Sequence, residues 1–164
     1  MGTTLSIGIW YVTYSGSVHM ARIEESVEIK RPIDQVFGYV TSTKNLPTWQ
    51  SYVLEVEQTL AGRVGIGTTF QGADKVMGQR MAWTSEVTEY EPDKKWGESI
   101  YFGSTLIKIQ MIFNPVGEGT IYTQIYDIKV GGFLRLFAPM LKSTIRKHTK
   151  VSLSKLKDIL ENQA

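Results

Sequence analysis

Glu98 is the ionisable residue whose position in the sequence most favours chemistry. It alternates with Trp96 and Ile100, so a β-strand would turn all three side chains to one face. Removal from water raises the pKa of a carboxyl group, which can then act as a general acid or base. A carboxylate that reaches solvent at a strand edge, or pairs with Lys or Arg, fits the same spacing, and we favour this structural role. Glu25 and Asp127 lie in comparable settings, and for them too the structural role is favoured.

Tyr122, Gln124 and Tyr126 form a polar and aromatic row with the period of a strand. If this face points inward, the three side chains could orient a carbonyl or hydroxyl group of a ligand, and Tyr126 becomes a second candidate for proton transfer. If it points outward, they are surface residues, and Ile121 and Ile125 point inward instead. The alternation leaves both orientations open.

His148 lies three residues after Ile145 and four before Ser152, on the inward stripe of a predicted C-terminal helix. A packed, hydrogen-bonded histidine is favoured there, and catalysis by His148 is the weaker alternative. No second histidine at ligand spacing accompanies it, and the chain has no cysteine. We therefore predict no metal site, no Ser-His-Asp triad and no cofactor.

The elements that would position these residues follow from periodicity and from turn residues. Alternation from Ile23 indicates a strand, Pro32 suits the first turn of a short helix, and a second short helical piece follows. Six further strands are separated by turns rich in Gly, Pro and Asp. Apolar residues then recur every three or four positions, which predicts a helix from about Pro139 to Glu161. This order predicts an α+β domain with a seven-stranded antiparallel sheet against a long helix.

The composition is that of one globular domain, with 42% hydrophobic residues and a net charge of only +2, which does not favour binding to nucleic acid. The absence of cysteine suits a reducing compartment, and we expect a cytoplasmic protein. Residues 1–19 carry no Lys, Arg, Asp or Glu. We interpret residues 1–21 as an extension outside the core and residues 22–164 as the domain. The alternative is an additional edge strand from Ile7 to Thr13.

Five stretches carry a resemblance to a known superfamily. They are SVEIKRPIDQVFGYVTSTKNLPTWQ, VGIGTTFQG, SEVTEYEPDKKW, GEGTIYTQIYDI and LSKLKDILE. In this order and spacing the chain resembles the START-like superfamily (SRPBCC), which includes polyketide cyclase/dehydrase proteins and the Bet v 1 allergens. The resemblance covers Ile23 to Leu160. It implies a helix-grip fold, in which a curved sheet wraps around the C-terminal helix and encloses a pocket for a hydrophobic ligand, but it brings no invariant catalytic motif.

The favoured function is therefore binding of a hydrophobic small molecule, such as a lipid or polyketide, by a carrier or sequestering module. The first alternative is an enzyme of the polyketide cyclase/dehydrase type that uses Glu98 or Tyr126 in a water-poor pocket. Aromatic and Met side chains on the apolar faces of the strands are the expected pocket walls, although for each one alone a packed core is the favoured interpretation. The candidate ligand-binding residues are Trp49, Phe70, Met81, Trp83, Trp96, Glu98, Ile109, Met111, Tyr122, Gln124, Leu141 and Ile145.

The C-terminal segment carries a surplus of positive charge. Residues 130–164 contain seven basic and only two acidic side chains. A solvated helix face is the favoured interpretation. The second alternative function is contact with an anionic membrane surface or a partner protein through this basic helix, with Phe133, Leu134, Leu136 and Phe137 as an apolar tip.

Overall fold

The computed structural model describes residues 19–103, 105–130 and 136–162. The predicted alternative strand from Ile7 to Thr13 lies outside the described residues. Seven strands and three helices follow the predicted order, which confirms the α+β helix-grip fold. They are β1 (His19–Ile29), α1 (Ile33–Val40), α2 (Leu46–Trp49), β2 (Val53–Gln58), β3 (Thr69–Val76), β4 (Gln79–Glu91), β5 (Lys95–Phe102), β6 (Thr105–Val116), β7 (Gly119–Val130) and α3 (Ala138–Asn162).

The seven strands form one antiparallel sheet with the order β1-β7-β6-β5-β4-β3-β2. Consecutive strands from β2 to β7 are neighbours, while α1 and α2 carry the chain from β1 to the opposite edge. The pairing shifts register between Val53 and Glu55 in β2 and between Val87 and Glu89 in β4. Such irregularities bend and twist a sheet, so they help to curve this one around α3.

Strand β1 begins at His19, earlier than the alternation predicted. Ala21 pairs with Ile128 and belongs to the hydrophobic core, although the sequence placed it in the N-terminal extension. The alternation did not identify residues 19–21 as part of the strand, because the inward side chain of Ala21 is small and gives only a weak apolar signal. Strand β1 therefore includes residues 19–21.

The C-terminal end of α3 is fixed to the end of β1 by polar contacts. The Lys30 N–H donates to Glu161 Oε1 at 2.8 Å, and Arg31 Nε donates to the Leu160 carbonyl at 2.7 Å. Lys157 Nζ donates to the Glu28 carbonyl at 2.6 Å. None of the helices in the described ranges is long and apolar enough to cross a membrane.

Thr149, not His148, lies on the buried face of α3. Thr149 is buried and continues through Leu153, Leu156 and Leu160, whereas His148 is exposed. The predicted inward orientation of His148 is therefore wrong, because the stripe advances from Ile145 by four residues rather than by three. The His148 ring instead packs on the ring of Tyr52, with centroids 5.6 Å apart.

Candidate functional site

The polar row of β7 faces the interior of the grip. Tyr122 and Gln124 have no solvent exposure and Tyr126 has 4%. Gln124 pairs with Met111 of β6, which in turn pairs with Trp96 of β5. This row of inward side chains crosses the middle of the sheet, so Gln124 lies within an otherwise apolar surface.

Three polar atoms in the interior around Tyr122 and Gln124 have no hydrogen-bond partner among the described residues. They are Trp49 Nε1, the Tyr122 hydroxyl and Gln124 Nε2. The rings of Trp49 and Tyr122 meet edge to face at 6.4 Å, so two of the three unpaired groups belong to residues in direct contact. A buried polar group without a partner costs about 1–3 kcal/mol. Three of them in one place call for a functional explanation.

The unpaired groups can all donate a hydrogen bond. Burial raises the pKa of Tyr122 well above its ordinary value. The Gln124 amide lies close to the Tyr122 hydroxyl, although outside normal hydrogen-bond geometry, and lowers this pKa by a smaller amount. The Tyr122 hydroxyl therefore keeps its proton at any physiological pH. The Gln124 Oε1 accepts a bond from the Tyr126 hydroxyl at 3.3 Å, which leaves the NH₂ end of the amide to donate. Trp49 has only its N–H to offer.

Glu98 points inward on β5, between Val87 of β4 and Ile109 of β6. Its Oε1 accepts a hydrogen bond from the Ser85 hydroxyl, and its Oε2 accepts one from Trp96 Nε1 at 3.3 Å. Burial raises the pKa of Glu98, and the two hydrogen bonds offset part of that rise. Glu98 thus takes the inward position that the alternation predicts, on a central strand and with partners that carry no charge. The favoured role, a carboxylate at a strand edge or paired with Lys or Arg, is therefore wrong.

Asp74 is a second inward carboxylate, which the sequence analysis missed. It lies on β3 with 9% exposure, and Trp83 Nε1 donates to its Oδ1 at 2.8 Å. Burial raises the pKa of Asp74 from 3.8 to about 6, although the Trp83 hydrogen bond works against this rise. The signal was available in the sequence, because Asp74 alternates with Phe70 and Gly72. The alternation is clear only as far as Gly72, whereas β3 continues to Val76.

Tyr126 lies within the electrostatic reach of both carboxylates. Burial is the largest cause that raises its pKa, and the charges of Asp74 and Glu98 raise it further. The hydroxyls of Thr149 and Tyr52 act in the opposite direction. Tyr126 therefore interacts electrostatically with Asp74 on β3 and Glu98 on β5. It also interacts with the hydroxyls of Thr149 on α3 and of Tyr52, which precedes β2.

The remaining predicted wall residues divide into two groups. Leu141 and Ile145 are partly buried on α3. Met81 is on the same face of β4 as Trp83, but it is 40% exposed, so its predicted place in a buried wall is wrong. Met81 pairs with Asp74 near the end of the β3–β4 hairpin, where the inner face meets solvent. The other wall residues belong to one buried core: Trp49, Phe70, Trp83, Trp96, Ile109 and Met111.

Glu25 and Asp127 have structural partners, as the sequence analysis favoured. Glu25 Oε1 lies 3.1 Å from Arg146 Nε of α3, and Asp127 Oδ2 lies 3.3 Å from Arg22 Nη1. Both pairs join neighbouring elements at the border of the sheet. Neither carboxylate takes part in the interior cluster.

A groove of about 680 Å³ lies on the outer face of β2 to β5, where Glu55, Gln71, Arg80, Thr84 and Tyr101 line it. It is on the side of the sheet that α3 does not cover. The cavity that we expect between the inner face of the sheet and the α3 residues Leu141 and Ile145 remains a prediction. No group of three or more His, Asp or Glu side chains in the described ranges is arranged to hold a metal ion.

The sequence model of one family matches residues 20–161, and that family is described as polyketide cyclase / dehydrase and lipid transport. No curated protein matches the sequence at a significant level.

Solved structures resemble this fold at low sequence identity. The Zhui aromatase/cyclase from Streptomyces sp. R1128 superposes with a TM-score of 0.75 at 15% identity, over 88% of this chain and 96% of that one. A START superfamily protein from Mycobacterium smegmatis gives 0.72 at 14% identity, over 87% and 99%. The protein TTHA0849 from Thermus thermophilus gives 0.72 at 18% identity, over 84% and 95%.

Proposed function

Because the chain belongs to the polyketide cyclase/dehydrase and lipid transport family, we propose that it binds a hydrophobic small molecule between the sheet and α3. The observation that carries this proposal is the group of three buried donors without partners: Trp49, Tyr122 and Gln124. The ligand accordingly presents a hydrogen-bond acceptor, such as a ketone or ester carbonyl, to these donors. Its apolar part contacts the aromatic and Met side chains of the inner face.

This arrangement matches the general chemistry of ligand sites. Such sites are mostly apolar and contain a few polar groups that fix the orientation of the ligand. A carbonyl oxygen has two lone pairs, so it can accept from two of the three donors at once. Each hydrogen bond between the ligand and one of these unpaired donors adds about 1–3 kcal/mol to the binding free energy. The donors thereby convert a penalty in the free protein into affinity for a ligand with an acceptor.

The test is binding of a neutral, fluorescent aromatic ketone to the wild-type chain and to variants that remove a single donor. Tyr122→Phe and Gln124→Met keep the approximate shape of each side chain. We expect each to weaken binding roughly 5- to 100-fold, because the ligand bond to that donor, worth about 1–3 kcal/mol, is lost. Met111→Ala should also weaken binding because it removes part of the apolar wall. Lys108→Ala, on the outer face, is the control and should bind as the wild type does.

A stability measurement on the same variants separates ligand binding from a structural role. Tyr122→Phe removes an unpaired hydroxyl from the core, so the free variant should be as stable as the wild type or more stable. A structural hydroxyl would give the opposite result, a loss of stability with no specific loss of binding. Absence of saturable ketone binding to the wild-type chain would refute the proposed function.

A second function, catalysis, is supported by the carboxyl groups. Asp74 has a pKa of about 6, which is suited to proton transfer near neutral pH, and Glu98 has a raised pKa. Both lie near the Tyr126 hydroxyl. The corresponding reaction class is proton abstraction next to a carbonyl, which begins the cyclisation of a polyketone.

Exchange of the α-protons of a hydrophobic β-diketone in D₂O, followed by NMR, tests this second function. An enzyme should accelerate the exchange, and Asp74→Asn or Glu98→Gln should lower the rate roughly 10²- to 10⁴-fold. A carrier should give the rate of buffer alone. That result would eliminate the catalytic function and leave the binding function intact.

A further inference from the structure

The two inward carboxyls share one local arrangement. Trp83 Nε1 donates to Asp74, and Trp96 Nε1 donates to Glu98. Each indole supplies one hydrogen bond, whereas an ionised carboxylate can accept about four. Asp74 and Glu98 therefore retain acceptor capacity on the inner face of the sheet, and both act electrostatically on Tyr126.

Neither carboxylate has a cationic partner in the described part of the chain. The ion pairs found there join other groups, and they lie at the border of the sheet, on its outer face or at the end of α3. The α3 cations Arg146 and Lys150 pair with Glu25 instead. In its ionised form, each of these carboxylates therefore carries a negative charge that no cation in the described residues compensates. Uncompensated charge in a region of low dielectric acts strongly on any charged group that enters.

The surroundings of the carboxylates also favour a cation. Trp83 and Trp96 lie beside them, and the Tyr90 ring meets the Trp96 ring at 5.8 Å. The faces of Trp and Tyr rings attract ammonium groups. An ammonium group has several N–H donors, which match the unused acceptor positions of a carboxylate. A carboxylate ligand would bring like charges together in the same space.

We propose that this interior selects hydrophobic ligands that carry a protonated amine and rejects hydrophobic carboxylates, with Asp74 and Glu98 as the amine-binding groups. This inference rests on the proposed function, since it assigns a charge to the ligand of the same site. The donors Trp49, Tyr122 and Gln124 would hold an acceptor at one end of the ligand. The carboxylates would hold the amine at the other.

The test uses three probes with the same ten-carbon chain: decylamine, decanol and decanoate. Each competes with the neutral fluorescent ketone for the wild-type protein at pH 7.5, below the concentration at which the probe forms micelles. Asp74 is mostly ionised at this pH, because its pKa is about 6. We expect decylamine to bind at least about tenfold more tightly than decanoate, with decanol between them, since charge-assisted hydrogen bonds are roughly twice as strong as neutral ones.

Asp74→Asn and Glu98→Gln then remove the charges and largely preserve the shapes. Either change should reduce the preference for decylamine over decanoate at least about threefold, and the double variant should reduce it further. Binding of decanol, which carries no charge, should change less than binding of decylamine. Glu86→Gln is the matched control, because Glu86 is an exposed carboxylate on the outer face of the same strand as Ser85. It should keep the full preference.

Two results would overturn the inference, and they differ from failure of the proposed function. Decanoate that binds the wild-type protein as tightly as decylamine would refute the charge selection while leaving hydrophobic binding in place. A preference that survives in the folded double variant would show that other groups cause it, and so would also refute the assignment. If the ketone and all three probes fail to bind, the proposed function itself is wrong, and the inference falls with it. The comparison on the wild-type protein requires no variant to fold.

Discussion

Replacement of Asp74 by Asn should stabilise the protein at alkaline pH and have little effect at acidic pH. The carboxyl group is 9% exposed and its pKa is raised from 3.8 to about 6, chiefly by burial. The folded state therefore binds its proton more tightly than the unfolded state does. Stability from this group is complete below about pH 3.8 and falls as the pH rises through about 6. An amide has no charge to bury, and its oxygen can still accept from Trp83.

The size of the effect follows from the two pKa values. A tenfold change in an ionisation constant corresponds to about 1.4 kcal/mol, so the ionised Asp74 lowers the free energy of unfolding by about 3 kcal/mol at pH 8. At pH 4.5 ionisation of Asp74 lowers the free energy of unfolding by only about 1 kcal/mol. The difference between Asp74→Asn and the wild type should thus widen by about 2 kcal/mol between pH 4.5 and pH 8. The raised pKa of Glu98 affects both proteins in the same direction, and it cancels in the difference.

Urea unfolding followed by far-UV circular dichroism at several pH values measures this difference. Circular dichroism is preferable to tryptophan fluorescence here, because the substituted side chain is hydrogen-bonded to Trp83 and its replacement could itself change the emission. Glu86→Gln, an exposed outer-face substitution, should stay within about 0.5 kcal/mol of the wild type throughout. A difference that is constant with pH, or one that narrows as the pH rises, would show that Asp74 does not titrate as a buried acid.

Three further predictions concern other parts of the molecule. Gly72→Ala should cost about 1–3 kcal/mol in a thermal melt, because the added Cβ would lie 2.5 Å from the Trp83 ring and overpack the inner face; an unchanged melting temperature would contradict this contact. A chain that begins at Met20 should unfold within about 2 kcal/mol of the full chain, and a larger loss would mean that the preceding residues contribute to the core. Leu136 is 82% exposed beside the basic face of α3, so Leu136→Asp should lower co-sedimentation with phosphatidylserine vesicles if this helix contacts membranes; equal sedimentation of both proteins would argue against that contact.

The architecture could be predicted because local patterns and the fold agree. Alternation located all seven strands, and the three- to four-residue period located α3 to within one residue at each end. The orientation of β7 could not be predicted in this way. Thr123 and Ile125 on its outer side are buried as well as Tyr122 and Gln124 on its inner side. A strand buried on both faces lacks the contrast between apolar and polar positions that would identify the inner face.

The candidate site was harder to predict than the fold, because it depends on contacts distant in sequence. The Trp83 bond to Asp74 joins two strands, and the proximity of Tyr126 to Asp74 joins β7 to β3. The unpaired state of Trp49 Nε1 depends on every group around it, so no spacing in the sequence can indicate it. Glu98 was identified because its signal is local, a carboxylate in the alternation of one strand.

The positions of the indole rings have a practical consequence for spectroscopy. Trp49, Trp83 and Trp96 all belong to the buried core that faces the interior, and two of them are hydrogen-bonded to carboxyl groups. The fourth tryptophan of the chain is Trp10, far from this cluster in sequence. Three of the four tryptophans are therefore core residues. We expect their emission to change on ligand binding and on carboxyl ionisation, and substitution of each indole by Phe would assign the change to one ring.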